Sequence, residues 1–191
     1  MTGYMDRFDS LYLPKLGIRA PTFRAVIREA LCMGVRSIVE TGCIRKPDNW
    51  SGDGQSTVIW EDYVSQYSDS RFTTIDINQA AIDTARECCP EATCIVSDSV
   101  TELAKPGPNI DPLYLDSFDL DMSNPEPAAM HCLFEFCAAR PRLSKGSIVF
   151  IDDSPMGPDG VGGKGVYVAK WFEQIGIVPF TWGYQVAWIL P

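Results

Sequence analysis

The chain is poor in positive charge: 16 Lys and Arg stand against 25 Asp and Glu, with one histidine, and the formal net charge is −9. Phosphate recognition depends on clustered Lys and Arg, so nucleic acid is not expected as a partner. The seven cysteines, Cys32, Cys43, Cys88, Cys89, Cys94, Cys132 and Cys137, include no C-x-x-C pair and are odd in number. They signal neither a disulfide framework nor a zinc site, and point to a reduced, cytoplasmic protein. No apolar run approaches the roughly 20 residues that span a bilayer, and the opening MTGYMDRFDS lacks the basic start and apolar core of a signal peptide. Membrane association is therefore not expected. Internal repeats, low-complexity tracts and a second-domain linker are also missing. What is present, 46% hydrophobic and 21% charged residues over 191 positions, suits one soluble domain spanning 1–191. A homo-oligomer is compatible with it.

Short β-rich apolar runs alternate with helical stretches, the pattern of βαβ units on a parallel sheet. Strands are expected at 37–41, 72–77, 93–97, 112–116 and 147–152, and helices at 22–33, 56–67, 79–89, 125–139 and 166–175. The last segment, 178–190, reads as two strand-like runs around Trp182-Gly183, too close for a helical crossover and therefore antiparallel. The fold class is thus α/β: a single doubly wound, mostly parallel, seven-stranded Rossmann-like sheet ending in an antiparallel hairpin. Residues 1–21 form an N-terminal extension without a readable motif.

In such sheets ligands bind beyond the carboxyl ends of the strands, near the point where strand order reverses. The first strand ends in Glu40-Thr41-Gly42, and Gly54-Gln55-Ser56-Thr57 opens the next helix, where unpaired N–H groups collect. The second strand ends in Asp76-Ile77, with Asp76 about 20 residues past Gly54, the spacing of an acid that grips ribose hydroxyls. The third ends in Asp98-Ser99, whose short polar side chains suit an adenine edge. Helix caps and turns are the competing reading for each of these residues taken singly.

This arrangement, E-T-G, then G-x-S-T, then the acid after strand two and S-D-S after strand three, resembles the S-adenosylmethionine site of class I methyltransferases over about residues 37–190. Within that superfamily the chain is most similar to metal-dependent small-molecule O-methyltransferases of the catechol and the sugar or macrolide tailoring types. The resemblance implies Glu40, Thr41, Gly42, Gly54, Ser56, Thr57, Asp76, Ile77, Asp98 and Ser99 as cofactor residues. One departure is the insertion at 43–53, rich in Pro, Asn and Gly. Either it folds over the cofactor or substrate with Trp50 as an apolar lid, or it is a solvated excursion.

The fourth strand ends in Asp116-Ser117-Phe118-Asp119 and the fifth in Asp152-Asp153. Carboxylates gathered at one mouth repel unless a cation neutralises them, and a hard divalent ion with oxygen ligands is the expected partner: Mg2+ first, with Ca2+ and Mn2+ as alternatives. By the resemblance, Asp116, Asp152 and Asp153 correspond to the metal triad, and the ion would hold the acceptor oxygen. Candidates for catalytic proton transfer and charge stabilisation are Asp116, Asp119, His131 and Lys164, the last in the glycine-rich stretch 157–165. The expected activity is metal-assisted O-methylation of a small-molecule hydroxyl, on a sugar or a catechol-like group. The competitors are an NAD-dependent oxidoreductase on the same fold, disfavoured because no G-x-G-x-x-G follows the first strand, and a catalytically inactive nucleotide-binding module.

Overall fold

A computed structural model describes residues 2–52 and 55–191. In chain order the elements are α1 (Thr2–Leu11), α2 (Ala20–Met33), β1 (Ser37–Thr41), α3 (Ser56–Val64), β2 (Arg71–Asp76), α4 (Gln79–Cys88), β3 (Thr93–Val96), α5 (Ser99–Leu103), β4 (Leu113–Leu115), α6 (Glu126–Ala139), β5 (Ile148–Ile151), β6 (Met156–Gly157), β7 (Gly160–Val161), α7 (Val166–Gln174), β8 (Thr181–Trp182) and β9 (Val186–Ile189). The main sheet has seven strands in the order β3-β2-β1-β4-β5-β9-β8. Pairings from β3 through β5 are parallel, and β9 runs antiparallel to both β5 and β8. Strand order reverses between β1 and β4, so the crevice of this sheet opens above their carboxyl ends.

Alternation along the strands explains the two layers, since successive side chains point to opposite faces. Ile38, Phe72, Tyr114 and Phe150 enter the apolar layer shared with α1, α2 and α3. Val39, Ile75, Leu115, Val149 and Ile151 enter the opposite layer, beneath α6 and α7. Phe23 of α2 is the hub of the first layer, with its ring 5.1 Å from Phe150, 5.6 Å from Tyr114 and 5.9 Å from Trp60.

Helix limits follow local chemistry. Pro21 lies in the first turn of α2, where a missing N–H costs nothing, and Gly34 ends that helix at φ 70°. Asn78 caps α4 by accepting from the Ala80 N–H, and Asp98 caps α5 by accepting from Thr101. The helix expected over 56–67 stops at Val64, and the turn of the final hairpin falls at 183–185.

The segment read as an extension without a motif is the largest departure. Tyr4, Phe8, Tyr12 and Leu16 recur every fourth residue and are all buried, which makes α1 and the turn after it an amphipathic arm on the first layer. Tyr12 donates to Asp62 at 2.9 Å and Tyr4 to the Ile59 carbonyl, docking the arm onto α3. That spacing of four was visible in the sequence.

Glu40 is fully buried at the end of β1, where its Oε2 accepts from Thr57 of α3 and Thr74 of β2, each at 2.8 Å. It therefore ties three elements together. Burial raises its pKa to about 7 against hydroxyl hydrogen bonds that lower it.

Two outcomes are expected. Phe23→Ala costs about 3–5 kcal/mol in denaturant unfolding, because a buried aromatic leaves a cavity. For Glu40→Gln, the folded carboxyl holds its proton to higher pH than the unfolded one, so the wild type loses stability relative to the variant as pH rises from about 4.5 to about 7. A wild-type and variant gap that stays constant over that window would show that the Glu40 proton is not linked to folding.

Candidate functional site

The carboxyl ends of β1 to β5 open into one cleft of about 960 Å³. At its centre β1 ends in Gly42, whose φ is +77°; a Cβ there would meet the Asp116 carbonyl oxygen at 2.5 Å. Only glycine lets the turns after β1 and β4 approach this closely. Asp76, at the end of β2, reaches the same turn: its Oδ2 accepts from the Cys43 N–H at 3.2 Å and its Oδ1 from the Asn78 N–H at 2.8 Å. Backbone donors thus aim this carboxylate while it lines the cleft. Ile77, Asp98 and Ser99 complete this half. Asp98 also caps α5, and its hydrogen bonds with Thr101 hold it below the ordinary aspartate value.

Beside Ser99 lies His131 of α6, whose Nε2 is 3.1 Å from Ser99 Oγ and 3.5 Å from the buried Glu135 carboxylate. The Glu135 hydrogen bond is the main cause of the raised His131 pKa. Both contacts use the same ring nitrogen, so the three residues do not form a serine–histidine–acid relay, which needs one partner on each nitrogen. The His131 ring lies 5.5 Å from that of Phe118, which sits at φ 58° and is exposed.

The other half of the cleft holds the acidic cluster, and it is already matched by cations. Lys164, 2% exposed, donates to Asp116 Oδ1 at 2.9 Å and lies 3.0 Å from Asp153 Oδ2. Arg19 donates through Nε to both oxygens of Asp152 (3.1 and 2.8 Å) and through Nη2 to Asp153 Oδ1 at 3.3 Å. Its guanidinium lies over the Tyr184 ring, whose hydroxyl donates to Asp153 Oδ1 at 2.6 Å. Tyr114 donates to Asp152 Oδ2 and receives a hydrogen bond from Gln185. Three carboxyl groups thus face two cations. Burial, with Asp152 and Asp153 nearby, drives the Asp116 carboxyl well above the aspartate range despite Lys164. For Asp153 burial pushes the same way, but Lys164, Tyr184 and Arg19 outweigh it and hold this carboxyl low.

The structure thus gathers Gly42, Asp76, Ile77, Asp98 and Ser99 on one side, and Asp116, Asp119, His131, Asp153 and Lys164 on the other. Several expected residues do not line the cleft. Glu40, Thr41, Ser56 and Thr57 are buried behind the β1 turn, where Glu40 and Thr57 brace it, Thr57 Oγ1 accepting from the Ile44 N–H at 3.0 Å. Gly54 lies outside the described residues. Asp119 lines the rim with an 84% exposed side chain, held by Arg45 at 3.0 Å.

The expected metal triad needs correction. Asp152 is fully buried beneath the cleft, and the oxygens of Asp152 and Asp153 are taken by Arg19, Lys164, Tyr114 and Tyr184, while Asp116 Oδ1 is held by Lys164. Among the described residues no group of three His, Cys, Asp or Glu side chains is arranged to hold a metal ion. With Arg19 and Lys164 in place, these carboxylates do not fit a divalent cation.

The insertion after β1 is anchored rather than free: Cys43 and Ile44 are buried against α4, and Trp50 lines the cleft 5.8 Å from the Tyr12 ring with Lys15 above it. Arg19 and Tyr184 line the cleft and bind the acidic cluster without any signal in the sequence. Each reaches the cluster across more than 30 positions, so no local spacing marks it. Residues 160–165 do spell G-x-G-x-x-G, but they run from β7 to the start of α7, away from the first strand, and carry Lys164.

No family model and no curated protein sequence matches the chain. Solved structures do. It is similar to CalS11, a TDP-rhamnose 3'-O-methyltransferase of calicheamicin biosynthesis, at 18% identity and a TM-score of 0.60, over 88% of this chain and 76% of that one. The N-methyltransferase NodS from Bradyrhizobium japonicum WM9 aligns at 12% identity and a TM-score of 0.57, over 92% and 97%. A methyltransferase from Geobacter sulfurreducens aligns at 14% and 0.56, over 88% and 77%. Other matched methyltransferases are longer, and the chain spans about half of their length. At these identities the likeness speaks for architecture, and the chain has the class I methyltransferase fold.

Proposed function

We propose that the protein transfers a methyl group from S-adenosylmethionine to a hydroxyl of a small molecule, with the adenosyl portion above β1 to β3 and the acceptor above β4 and β5. The observation that carries this reading is the cleft itself. It joins a backbone-aimed carboxylate, Asp76, to the acidic tip of β4 across the single Gly42 turn. The donor chemistry of the first half fits the nucleoside. Asp76 has lone pairs for ribose hydroxyls beyond its two backbone hydrogen bonds, while Asp98 and Ser99 offer short polar side chains to an adenine edge.

When bound, S-adenosylmethionine supplies an electrophilic methyl group on a positively charged sulfur. The chain's own task is then to align the acceptor and to take its proton. Lys164 engages Asp116 Oδ1 and leaves Oδ2 without a hydrogen bond among the described residues. Asp116 Oδ2 is therefore the proton acceptor in this reading, and its raised pKa brings it toward the range in which a carboxylate works as a general base. His131 and Phe118 line the boundary between the two halves, and Trp50 with Lys15 lines the outer side.

Two measurements test this. Calorimetry should detect saturable binding of S-adenosylmethionine, weakened about 10- to 100-fold in Asp76→Ala, the loss expected for hydrogen bonds to a charged group. Binding of NAD without S-adenosylmethionine would sink the proposal in favour of an oxidoreductase. In an acceptor screen, Asp116→Asn should lower turnover by about 10²- to 10⁴-fold, the usual contribution of a general base, with S-adenosylmethionine affinity unchanged. Turnover should rise with pH in the wild type as Asp116 loses its proton.

A further inference from the structure

The acidic cluster presents an electrostatic problem with an unusual internal solution. Asp116, Asp152 and Asp153 come from two adjacent strand ends, and their side chains are 15%, 0% and 16% exposed. Like charges so placed require a counter-charge. The oxygens receive it in an ordered way. Both Asp152 oxygens face Arg19, Asp153 Oδ1 accepts from Tyr184 and Arg19, and Lys164 spans Asp153 Oδ2 and Asp116 Oδ1. The third contact of Lys164 Nζ is the Asp116 carbonyl at 3.4 Å. One ammonium thus has an all-oxygen shell drawn from both strands, the donor set that a hard divalent ion selects.

The backbone is built to hold that ammonium there. Lys164 sits in a single helical turn, Gly163–Gly165, and its N–H donates to the Asp153 carbonyl at 3.0 Å. Gly163 has φ +55°, and any Cβ on it would collide with that same carbonyl. A Cβ on Gly165 would lie 2.8 Å from Ser154 Oγ. Side chains are thus excluded on both sides of Lys164, so that the turn can lie flat against the residues that follow β5. A divalent ion between Asp116 and Asp153 would share this space with the ammonium, and mutual repulsion forbids joint occupancy.

We propose that Lys164 is a resident cation standing in the coordination position between Asp116 and Asp153, so that the acceptor half of the cleft keeps its carboxylates aligned without a divalent ion. Lys164 is then a positioning residue: it acts through the two aspartates, and the cleft becomes a divalent-ion site only when its ammonium is removed. Charge and coordination between Asp116 and Asp153 do not depend on methyl transfer, and cation binding reads them directly.

The test is a Mn2+ titration followed by electron paramagnetic resonance and by thermal unfolding. The wild type is expected to show no stoichiometric Mn2+ binding at millimolar concentration and no change of melting temperature with Mn2+ or EDTA. Lys164→Ala is expected to bind one Mn2+ per chain and to melt about 5 °C or more higher with saturating Mn2+, because a ligand that binds only the folded state stabilises it. Adding Asp153→Asn to that variant should abolish the gain. If Lys164→Ala does not fold in buffer, refolding it with Mn2+ is the readout, and recovery of the native spectrum supports the proposal. Stoichiometric Mn2+ binding by the wild type overturns it. So does a variant that folds yet ignores Mn2+, or one that Mn2+ cannot refold.

Discussion

The structure turns on the pairing of three carboxylates at the ends of β4 and β5 with Arg19 and Lys164. Parallel strands bring polar tips to one edge of the sheet, and here two neighbouring tips are acidic. Leaving a buried charge unpaired costs several kcal/mol, so the cations are a condition of this edge existing at all. They also come from the least regular parts of the chain: the turn after the N-terminal arm and the glycine-flanked turn before α7. The cluster therefore recruits segments that the sheet alone would leave loose, and both become walls of the cleft.

The reversal of strand order does the rest. Between β1 and β4 the chain leaves a gap above the sheet, and Gly42 narrows its floor until the β1 and β4 turns touch. Asp76 is braced by backbone N–H groups on one side of that floor, and Asp116 is braced by Lys164 on the other. The two carboxylates differ in environment: Asp76 lines the cleft with backbone donors, whereas Asp116 is driven toward its protonated form by burial and by its acidic neighbours.

Much of the architecture was legible because its signals are local. Alternating apolar runs marked all five parallel strands to within a residue or two, and the short spacing around Trp182-Gly183 forced an antiparallel end. The strand-end residues Gly42, Asp76, Asp98, Ser99, Asp116 and Asp153 were legible for the same reason, since strand topology carries them to one edge. Glu40 and Thr57 sit at the right end of the sheet but point into its interior, a choice made by packing among β1, β2 and α3 rather than by position along the chain. The stripe Tyr4, Phe8, Tyr12 and Leu16 carried a helical signal, yet nothing local says which layer it covers.

By itself the sequence determined the succession of strands and helices, the antiparallel finish and the set of acidic tips, because each depends on residues close together in the chain. Only the tertiary structure decided what neutralises those tips. Acidic residues in a row call for positive charge, and a divalent ion and a lysine answer that call equally well on paper. Arg19 reaches Asp152 across 133 positions, and Lys164 reaches Asp116 across 48. Contacts of that range arise from the packing of whole elements, which no spacing within the chain encodes.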